Sequence, residues 1–160
     1  MTTLTHRRAT RADYKLLGAL NRQLIQDEGH RNPMTEAQLV QRMRRWVGRG
    51  EYAAELFEIN GAVVAYALYR ELAGEIYLRH LFVARNRRRQ GLGRRVMRLL
   101  MDEIWPRGRR LIVEVLCANT AGVAFWKAMG YREYSLCLEI MPAAAGGGAK
   151  SRVPRVRLAF

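Results

Sequence analysis

A basic turn with two glycines is the part of this sequence best suited to chemistry. It spans residues 85–94, Arg-Asn-Arg-Arg-Arg-Gln-Gly-Leu-Gly-Arg, between an apolar strand-like run at 76–83 and an amphipathic helix-like run at 96–105. Backbone N–H groups at a helix start have no partners within the helix, and the helix dipole favours negative charge there. Gly91 and Gly93 let a ligand approach the main chain closely. The turn therefore predicts an anion site, and its charge favours a pyrophosphate.

Three known phosphate-binding patterns compete for this turn. A P-loop needs Gly-Lys-Ser/Thr, which does not occur here, and a dinucleotide fingerprint needs a third glycine where Val96 stands. The third pattern, Arg/Gln-x-x-Gly-x-Gly/Ala, matches residues 88–93 at every fixed position. It is the acyl-CoA loop of the GNAT superfamily of N-acyltransferases, which this turn resembles. A solvated arginine-rich turn is the alternative interpretation.

A second segment strengthens the resemblance. Residues 119–131, Asn-Thr-Ala-Gly-Val-Ala-Phe-Trp-Lys-Ala-Met-Gly-Tyr, are similar to the family's other signature: an asparagine, a short helix with an aromatic pair, then glycine and an aromatic. They follow an apolar strand-like run at 111–117, so order and spacing both fit. The same residues also predict an ordinary short helix with Ala121, Phe125 and Met129 facing a core and Gly130 as its cap. The resemblance covers about residues 5–142.

Composition indicates one intracellular domain followed by a tail. The chain has 160 residues, and we expect a domain over 1–142 and a flexible Ala/Gly-rich and basic tail at 143–160. For residues 150–160, a late strand at a sheet edge is the alternative. Cys117 and Cys137 fall in apolar strand-like runs, which suits reduced thiols. No apolar run resembles a signal core or is long enough to span a bilayer, so we expect a cytoplasmic protein without membrane contact.

The net charge of +14 leaves three functions open. Such a charge permits binding to nucleic acid or to another acidic partner. No recognition-helix or RNA-binding motif accompanies it, so we favour solvated arginine-rich faces, with part of the charge matching the phosphates of coenzyme A. The leading function is N-acetylation of a small-molecule or protein amine, and the second is a non-catalytic acyl-CoA-binding module. The resemblance is also compatible with a homodimer.

The predicted elements follow the order β, α, α, β, β, β, α, β, α, β. Capping signals at 10–13 and 35–38 begin two helices, the second with three arginines facing outward: Arg42, Arg44 and Arg45. Asn60-Gly61 predicts a hairpin turn, and residues 133–140 predict a last strand that closes the sheet. The resemblance implies an α+β, three-layer fold. Its central sheet is mixed, largely antiparallel and splayed at the acyl-CoA site, with helices on both faces.

The resemblance implies acetyl-CoA as cosubstrate. The pantetheine arm would pair with main-chain groups of Leu81, Phe82 and Val83, and an N–H at or near Val83 would support the tetrahedral oxyanion. A neutral amine would attack acetyl-CoA directly, so catalysis is mainly positioning and proton transfer. The other residues implied at the cofactor are Arg88, Arg89, Gln90, Gly91, Leu92, Gly93 and Arg94 in the loop, and Asn119, Phe125 and Trp126 downstream.

The residue for protonating the leaving group departs from the family pattern. Many relatives have tyrosine at the second aromatic of the pair, where it can protonate the thiolate, and here Trp126 stands there. An indole N–H does not serve as a general acid. Tyr131 or Tyr134 then takes the role, or solvent does, or the step needs no help. Ordinary strand packing is the alternative for both tyrosines.

The general base departs from the pattern as well. Some relatives carry glutamate where this chain has Tyr77. The ionisable neighbours are Glu75, Arg79 and His80, and His80 titrates near neutrality and could act through a water. A packed histidine and a solvated glutamate are the alternatives. The candidate catalytic residues are therefore His80, Tyr131 and Glu75, and we predict no metal site.

The strand before the turn carries the information about the acceptor. On an alternating strand, Arg79 shares a face with Tyr77 and Glu75. Residues 76–83 look most like those of polyamine acetyltransferases, which carry acidic residues where this chain has Arg79 and His80. A cation repels a polyamine and attracts a carboxylate, so we expect a non-polyamine acceptor with an acidic group. The resemblance also implies that the loop at 26–33 borders the acceptor cleft, with an exposed loop as the alternative. The candidate substrate-binding residues are Tyr77, Arg79, Glu28 and His30.

Overall fold

A five-stranded sheet forms the centre of the protein, and the computed structural model describes residues 3–143. The strands are β1 (Thr5–Arg8), β2 (Ala53–Ile59), β3 (Ala62–Leu72), β4 (Glu75–Val83) and β5 (Arg110–Val113). They lie in chain order, and each neighbouring pair is antiparallel except β4 and β5, which are parallel. Asn60 and Gly61 join β2 to β3 with φ of 52° and 75°, as a two-residue hairpin turn requires. The predicted hairpin is therefore confirmed.

Helices cover both faces of this sheet. They are α1 (Tyr14–Glu28), α2 (Glu36–Gly48), α3 (Leu92–Leu99) and α4 (Thr120–Ala128). On one face, α1 and α2 contribute Leu17 and Met43 to a buried apolar cluster. On the other face, Val96 and Met97 of α3 are buried in a second cluster, against which Phe125 of α4 packs. This arrangement confirms the predicted α+β fold with a mixed, largely antiparallel sheet between helices.

β4 and β5 separate partway along β4. Their pairing ends at Leu78 and Val113, whereas β4 continues to Val83. Within residues 3–143, the edge of residues 79–83 that faces away from β3 has no strand beside it. An unpaired edge offers main-chain donors and acceptors to an extended ligand. The sheet is thus splayed where the sequence predicts the acyl-CoA slot.

A β-bulge interrupts the alternation of side chains in β4. Two adjacent residues of β3 lie opposite Leu78 and His80, so Arg79 is the extra residue. Strict alternation would place Arg79 and His80 on opposite faces. Instead both side chains face α2: the Arg79 guanidinium lies 4.6 Å from the Trp46 ring centroid, and the His80 ring lies 6.2 Å from it. The bulge therefore places the polar side chains of both Arg79 and His80 on the face of the sheet that α2 covers.

The predicted last strand at 133–140 is wrong. Ile140 is 97% exposed, and no strand within residues 3–143 pairs with this segment. Apolar alternation predicts which residues could share a face, but a strand also needs a hydrogen-bonded neighbour. Side chains hold the segment instead: the Tyr134 ring lies 4.6 Å from the Arg110 guanidinium, and Arg31 pairs with Glu139 at 2.6 Å.

Two further expectations change near the end of the described chain. The strand expected over 111–116 ends at Val113, so Cys117 lies beyond it and is exposed. Cys137 is exposed as well, because the segment around it does not join the sheet. Apart from residue 143, the predicted tail lies outside the described residues. None of the helices in residues 3–143 is long and apolar enough to cross a membrane.

Candidate active site

The Arg/Gly turn leads directly into α3. Arg89 and Gly91 have φ of 61° and 75°, in the left-handed region that glycine adopts without strain. Leu92, the first residue of α3, is 4% exposed and belongs to the core, which holds the helix start in place. The side chains of Arg89, Gln90 and Arg94 are exposed around it. The geometry is that of a helix start with free N–H groups, which suits an anion.

Gly93 brings the turn close to the end of β4 and to α4. A Cβ atom at this position would lie 3.2 Å from Cε2 of Phe125 and 3.8 Å from a methyl carbon of Val83. The aromatic contacts continue through α4 and past its end, with ring centroids 4.9 Å apart for Phe125 and Trp126 and 5.3 Å apart for Trp126 and Tyr131. The structure therefore brings Val83, Gly93 and the two aromatic residues of the second signature into one group.

Asn119 caps the helix that carries these aromatics. Its side-chain Oδ1 accepts a hydrogen bond of 3.0 Å from the backbone N–H of Gly122. A Cβ atom at Gly122 would lie 2.6 Å from Asn119 Nδ2, so glycine is needed for this close approach. Of the core residues expected in α4, Phe125 and Met129 pack against the core, but Ala121 is exposed because the first turn of α4 lies beyond the sheet's apolar cluster.

Residues 81–83 divide their side chains between the two faces. Leu81 and Val83 pack against the cluster under α3, whereas Phe82 is buried on the other face and stacks on Tyr66 with ring centroids 5.9 Å apart. Phe82 can therefore offer a cofactor only its main chain. The carbonyl of Val83 accepts a hydrogen bond of 2.8 Å from Nε of Arg88.

Arg88 also connects the turn to the end of α1. Its guanidinium donates to the carboxylate of Asp27 at 2.5 Å, and Arg85 donates to the same carboxylate at 2.8 Å. Partial burial by itself raises the pKa of Asp27, but the two arginines outweigh it and the net pKa is lowered. Asp27 is therefore a carboxylate at neutral pH that orders both arginines.

The bulge turns His80 to the face of β4 that α2 covers. Its Nδ1 lies 3.2 Å from the hydroxyl of Tyr66. Burial lowers the pKa of His80 well below 6.5, and the charges of Arg42, Arg79 and His30 add to this effect. His80 is thus a neutral, weakly basic imidazole at physiological pH.

The other candidate substrate-binding residues, Glu28, His30 and Tyr77, differ in burial and in their contacts. Glu28 is half-buried near Tyr66, and burial, together with the neighbouring Asp27 carboxylate, raises its pKa. His30 is exposed, and its Nδ1 accepts from the backbone N–H of the residue two positions on. Tyr77 donates to Glu114 at 3.2 Å. Glu28 acts on Tyr66, Tyr77 packs against the cluster that contains Tyr66, and His30 is close enough to His80 to lower its pKa.

Glu75 is not brought to this group. It is the first residue of β4, at the opposite end of the strand from Val83, and it pairs with Arg110 at 3.0 Å. A nine-residue strand separates its ends by about 26 Å. Glu75 therefore lies away from the turn and from the splayed edge.

The two candidate tyrosines differ sharply in environment. Burial raises the pKa of Tyr131 to about 12, and its hydroxyl has no hydrogen-bond partner among the described residues. Tyr134 is 85% exposed and far less constrained. Tyr131 keeps its proton at neutral pH and has a free donor beside Trp126.

Several polar residues near His80 are not predicted by the sequence to lie there. The helical pattern predicts an outward Arg42, which is wrong: Arg42 is partly buried, and its guanidinium lies 4.5 Å from the Trp46 ring centroid. The spacing i, i+4 between these two residues was the available signal. Asn21 and Tyr66 were also missed, because a single polar residue among apolar neighbours does not reveal what it faces.

Comparison with known proteins agrees with the fold. The acetyltransferase (GNAT) family model matches residues 20–131, and the chain belongs to this family. An Escherichia coli K12 relative named [ribosomal protein bS18]-alanine N-acetyltransferase is 32% identical over 88 residues, which are 54% of this chain. The chain spans 60% of that relative's length.

Solved structures share the whole architecture at low identity. A predicted acetyltransferase from Clostridium acetobutylicum, solved with acetyl-CoA, has a TM-score of 0.68 at 16% identity. The match covers 87% of this chain and 96% of the chain in that structure. A ribosomal-protein-alanine N-acetyltransferase from Brucella melitensis biovar Abortus has a TM-score of 0.68 at 12% identity, covering 87% and 99%. At these identities, the likeness shows the fold.

Proposed function

We propose that this protein is an acetyl-CoA-dependent N-acetyltransferase that moves an acetyl group to an amine within a ternary complex. The observation that carries the proposal is the unpaired edge of residues 79–83, which leads into the Arg/Gly turn and the free N–H groups of α3. An extended pantetheine arm fits the first feature, and a pyrophosphate fits the second. Membership of the GNAT family supports the same assignment.

On the donor side, main-chain groups of Leu81, Phe82 and Val83 pair with pantetheine. The N–H at or near Val83 supports the oxyanion that forms when the amine attacks the thioester carbonyl. Arg88, Arg89 and Arg94 surround the pyrophosphate, and Gln90, Gly91, Leu92 and Gly93 shape its turn. Asn119 lies at the start of α4, and Phe125 and Trp126 pack beside the arm.

Proton transfer needs one base and one donor. Glu28 is the candidate base, because its raised pKa makes it a better proton acceptor than an exposed glutamate. The lowered pKa of His80 makes its imidazole a weaker base than an exposed histidine. After the amine nitrogen bonds to the carbonyl carbon, the C–S bond breaks. Tyr131 then donates its proton or a hydrogen bond to the thiolate. Glu75 takes no part in this scheme.

Two measurements test the proposal. Calorimetry with acetyl-CoA should detect one site per chain, and absence of binding would remove both acyl-CoA functions. Thiol release across a panel of amines then separates an enzyme from a non-catalytic acyl-CoA-binding module. The presence of Trp126 in place of tyrosine favours that module. Binding without turnover of any amine would support that module. The cytoplasmic location and a homodimer remain predictions.

A further inference from the structure

Arginines and aromatic rings alternate across the sheet face under α1 and α2. The guanidinium carbons of Arg42 and Arg79 lie 4.5 Å and 4.6 Å from the Trp46 ring centroid. Both cations are therefore held against one rigid indole, which limits their freedom. We call Arg42 and Arg79 the arginine pair. The alternation continues at 5.5 to 5.7 Å through Tyr52, Arg70 and Tyr77.

The arginine pair lacks counter-charge. Within residues 3–143, no carboxylate lies in ion-pair distance of Arg42 or Arg79, whereas Arg7, Arg85 and Arg88 each contact an aspartate at 2.5 to 2.9 Å. Burial lowers the pKa of Arg42, and the like charge of Arg79 lowers it further. Arg42 is partly buried, and such a cation without an anion costs free energy, whereas Arg79 is exposed. A bound anion would remove that cost.

Two buried N–H donors, one on Arg42 itself and one on the neighbouring Asn21, also lack hydrogen-bond acceptors among the described residues. Nε of Arg42 and Nδ2 of Asn21 have no hydrogen-bond partner in the part of the chain that the structure describes. A terminal nitrogen of Arg42 donates to Asn21 Oδ1 at 2.8 Å, which fixes the orientation of both groups. Asn21 is 1% exposed. Buried donors are normally satisfied, and the described residues supply no acceptor for these two.

The arginine pair lies next to the residues that the proposed reaction uses. Arg79 is the bulged residue of β4 and the first residue of the unpaired edge that would hold pantetheine. Arg42 and Arg79 both act on the pKa of His80, and Arg42 and Glu28 both act on that of Tyr66. An amine that reaches the thioester from this face therefore brings its other substituents to the pair.

We infer that the acceptor is an amine that also carries a carboxylate, and that Arg42 and Arg79 bind this carboxylate. The inference rests on the proposed acetyl transfer. Planar guanidinium groups match a carboxylate with paired N–H donors, and a free amino acid or a peptide with an acidic residue next to its amino terminus could supply it. Polyamines would meet two positive charges instead. Arg42 is thus a substrate-binding residue, although the helical pattern predicts it to face outward.

The experiment compares acceptors that differ in one charge. The probes are alanine against alaninamide for a free carboxylate, and Ala-Asp-amide against Ala-Asn-amide for a side-chain carboxylate. The ratio of kcat/KM within each pair is measured for the native protein, Arg42→Gln and Arg79→Gln. Arg44→Gln is the matched control, since Arg44 lies on the same helix and is exposed. Calorimetry of the same probes with protein saturated by coenzyme A measures binding without turnover.

The native protein should prefer the carboxylate member of at least one pair by tenfold or more. Arg42→Gln and Arg79→Gln should each reduce that preference to near unity mainly through KM, with acetyl-CoA affinity unchanged, and Arg44→Gln should keep it. Turnover of the neutral members at the same rate, or a preference that survives both substitutions, would overturn the inference while leaving acetyl transfer intact. Carboxylate binding that depends on the pair without any turnover would retain the carboxylate site and reject acetyl transfer.

Discussion

The carboxylate of Asp27 at the end of α1 accepts from the guanidinium of Arg88 at 2.5 Å, and Arg88 donates through Nε to the carbonyl of Val83 at 2.8 Å. One arginine thus joins the end of α1, the predicted phosphate turn and the end of β4. A phosphate ligand would compete with Asp27 for this guanidinium. Binding of a phosphate at the turn would therefore be coupled to the position of α1 through Arg88 and, since it pairs with the same carboxylate, through Arg85.

Replacement of Asp27 tests this competition. Asp27→Asn removes the negative charge that occupies Arg85 and Arg88, so acetyl-CoA should bind roughly threefold more tightly at low salt, as expected for an exposed ion pair of this kind. The gain should shrink as salt rises, because the phosphates and the arginines are screened. Calorimetry at two ionic strengths measures both effects. Glu51→Gln, an exposed substitution with the same charge change, is the control, and weaker binding of acetyl-CoA to Asp27→Asn would contradict the model.

Gly93 sets the distance between the turn and α4. In Gly93→Ala, the added Cβ would lie 3.2 Å from Phe125 Cε2, so the ring or the turn must move. We expect roughly tenfold weaker acetyl-CoA binding and a loss of about 1 kcal/mol in the free energy of unfolding. Phe125→Leu in the same chain should restore most of the loss in both calorimetry and denaturant unfolding. If the double variant is no better than Gly93→Ala, the contact is not the cause.

Glu28 should set the acid side of the pH profile. The carboxylate must be unprotonated to accept a proton, and its pKa is raised above 4.5 by burial and by Asp27. As pH falls through this raised pKa, Glu28 becomes neutral and kcat should decline. Glu28→Gln should lower kcat by about 10² and remove that inflection. Steady-state rates across pH measure this, with exposed Glu36→Gln as the control. An unchanged kcat would assign the base elsewhere.

Tyr131 should affect chemistry and leave binding intact. Its hydroxyl is buried without a partner among residues 3–143, so Tyr131→Phe removes no hydrogen bond of the free protein and should not reduce its stability. Loss of the donor to the thiolate should lower kcat by roughly 10² with acetyl-CoA affinity unchanged. Exposed Tyr134→Phe should be neutral, and Trp126→Phe should retain turnover. Full activity in Tyr131→Phe would leave protonation to solvent.

Asp13 should contribute to stability in a defined pH window. The hydrogen bonds from Arg7 lower its pKa from 3.8 to about 2, although partial burial opposes them. Because the folded-state pKa is below the unfolded one, the contribution is present above about pH 4 and is lost as pH falls towards 2. Asp13→Asn should lower the free energy of unfolding by about 2 kcal/mol at pH 7 and show less change in this window. Denaturant unfolding of the native protein and of Asp13→Asn, at pH 7 and within the window from about pH 4 towards 2, measures the contribution. Equal pH dependence of the free energy of unfolding in the two proteins would refute the prediction.

The sequence predicts local features well where one residue type has few alternatives. Asn60-Gly61 forms the predicted hairpin because few other residues tolerate positive φ at both positions. The turn from Arg88 to Gly93 leads into α3 because Gly91 adopts a positive φ without strain. Residues 133–140 show the limit, since their alternation predicts a strand but pairing requires a neighbour that the local pattern does not specify.

By itself, the sequence determined the class of ligand and the order of elements, because glycine positions, helix starts and apolar periodicity are local properties. Only the tertiary structure decided which residues face the proposed acceptor site. The extra residue in β4 turns Arg79 and His80 to one face, and helix packing brings Arg42 and Asn21 to the same place from distant positions. A bulge and the approach of two helices depend on contacts across the sheet, which single-residue spacing does not encode.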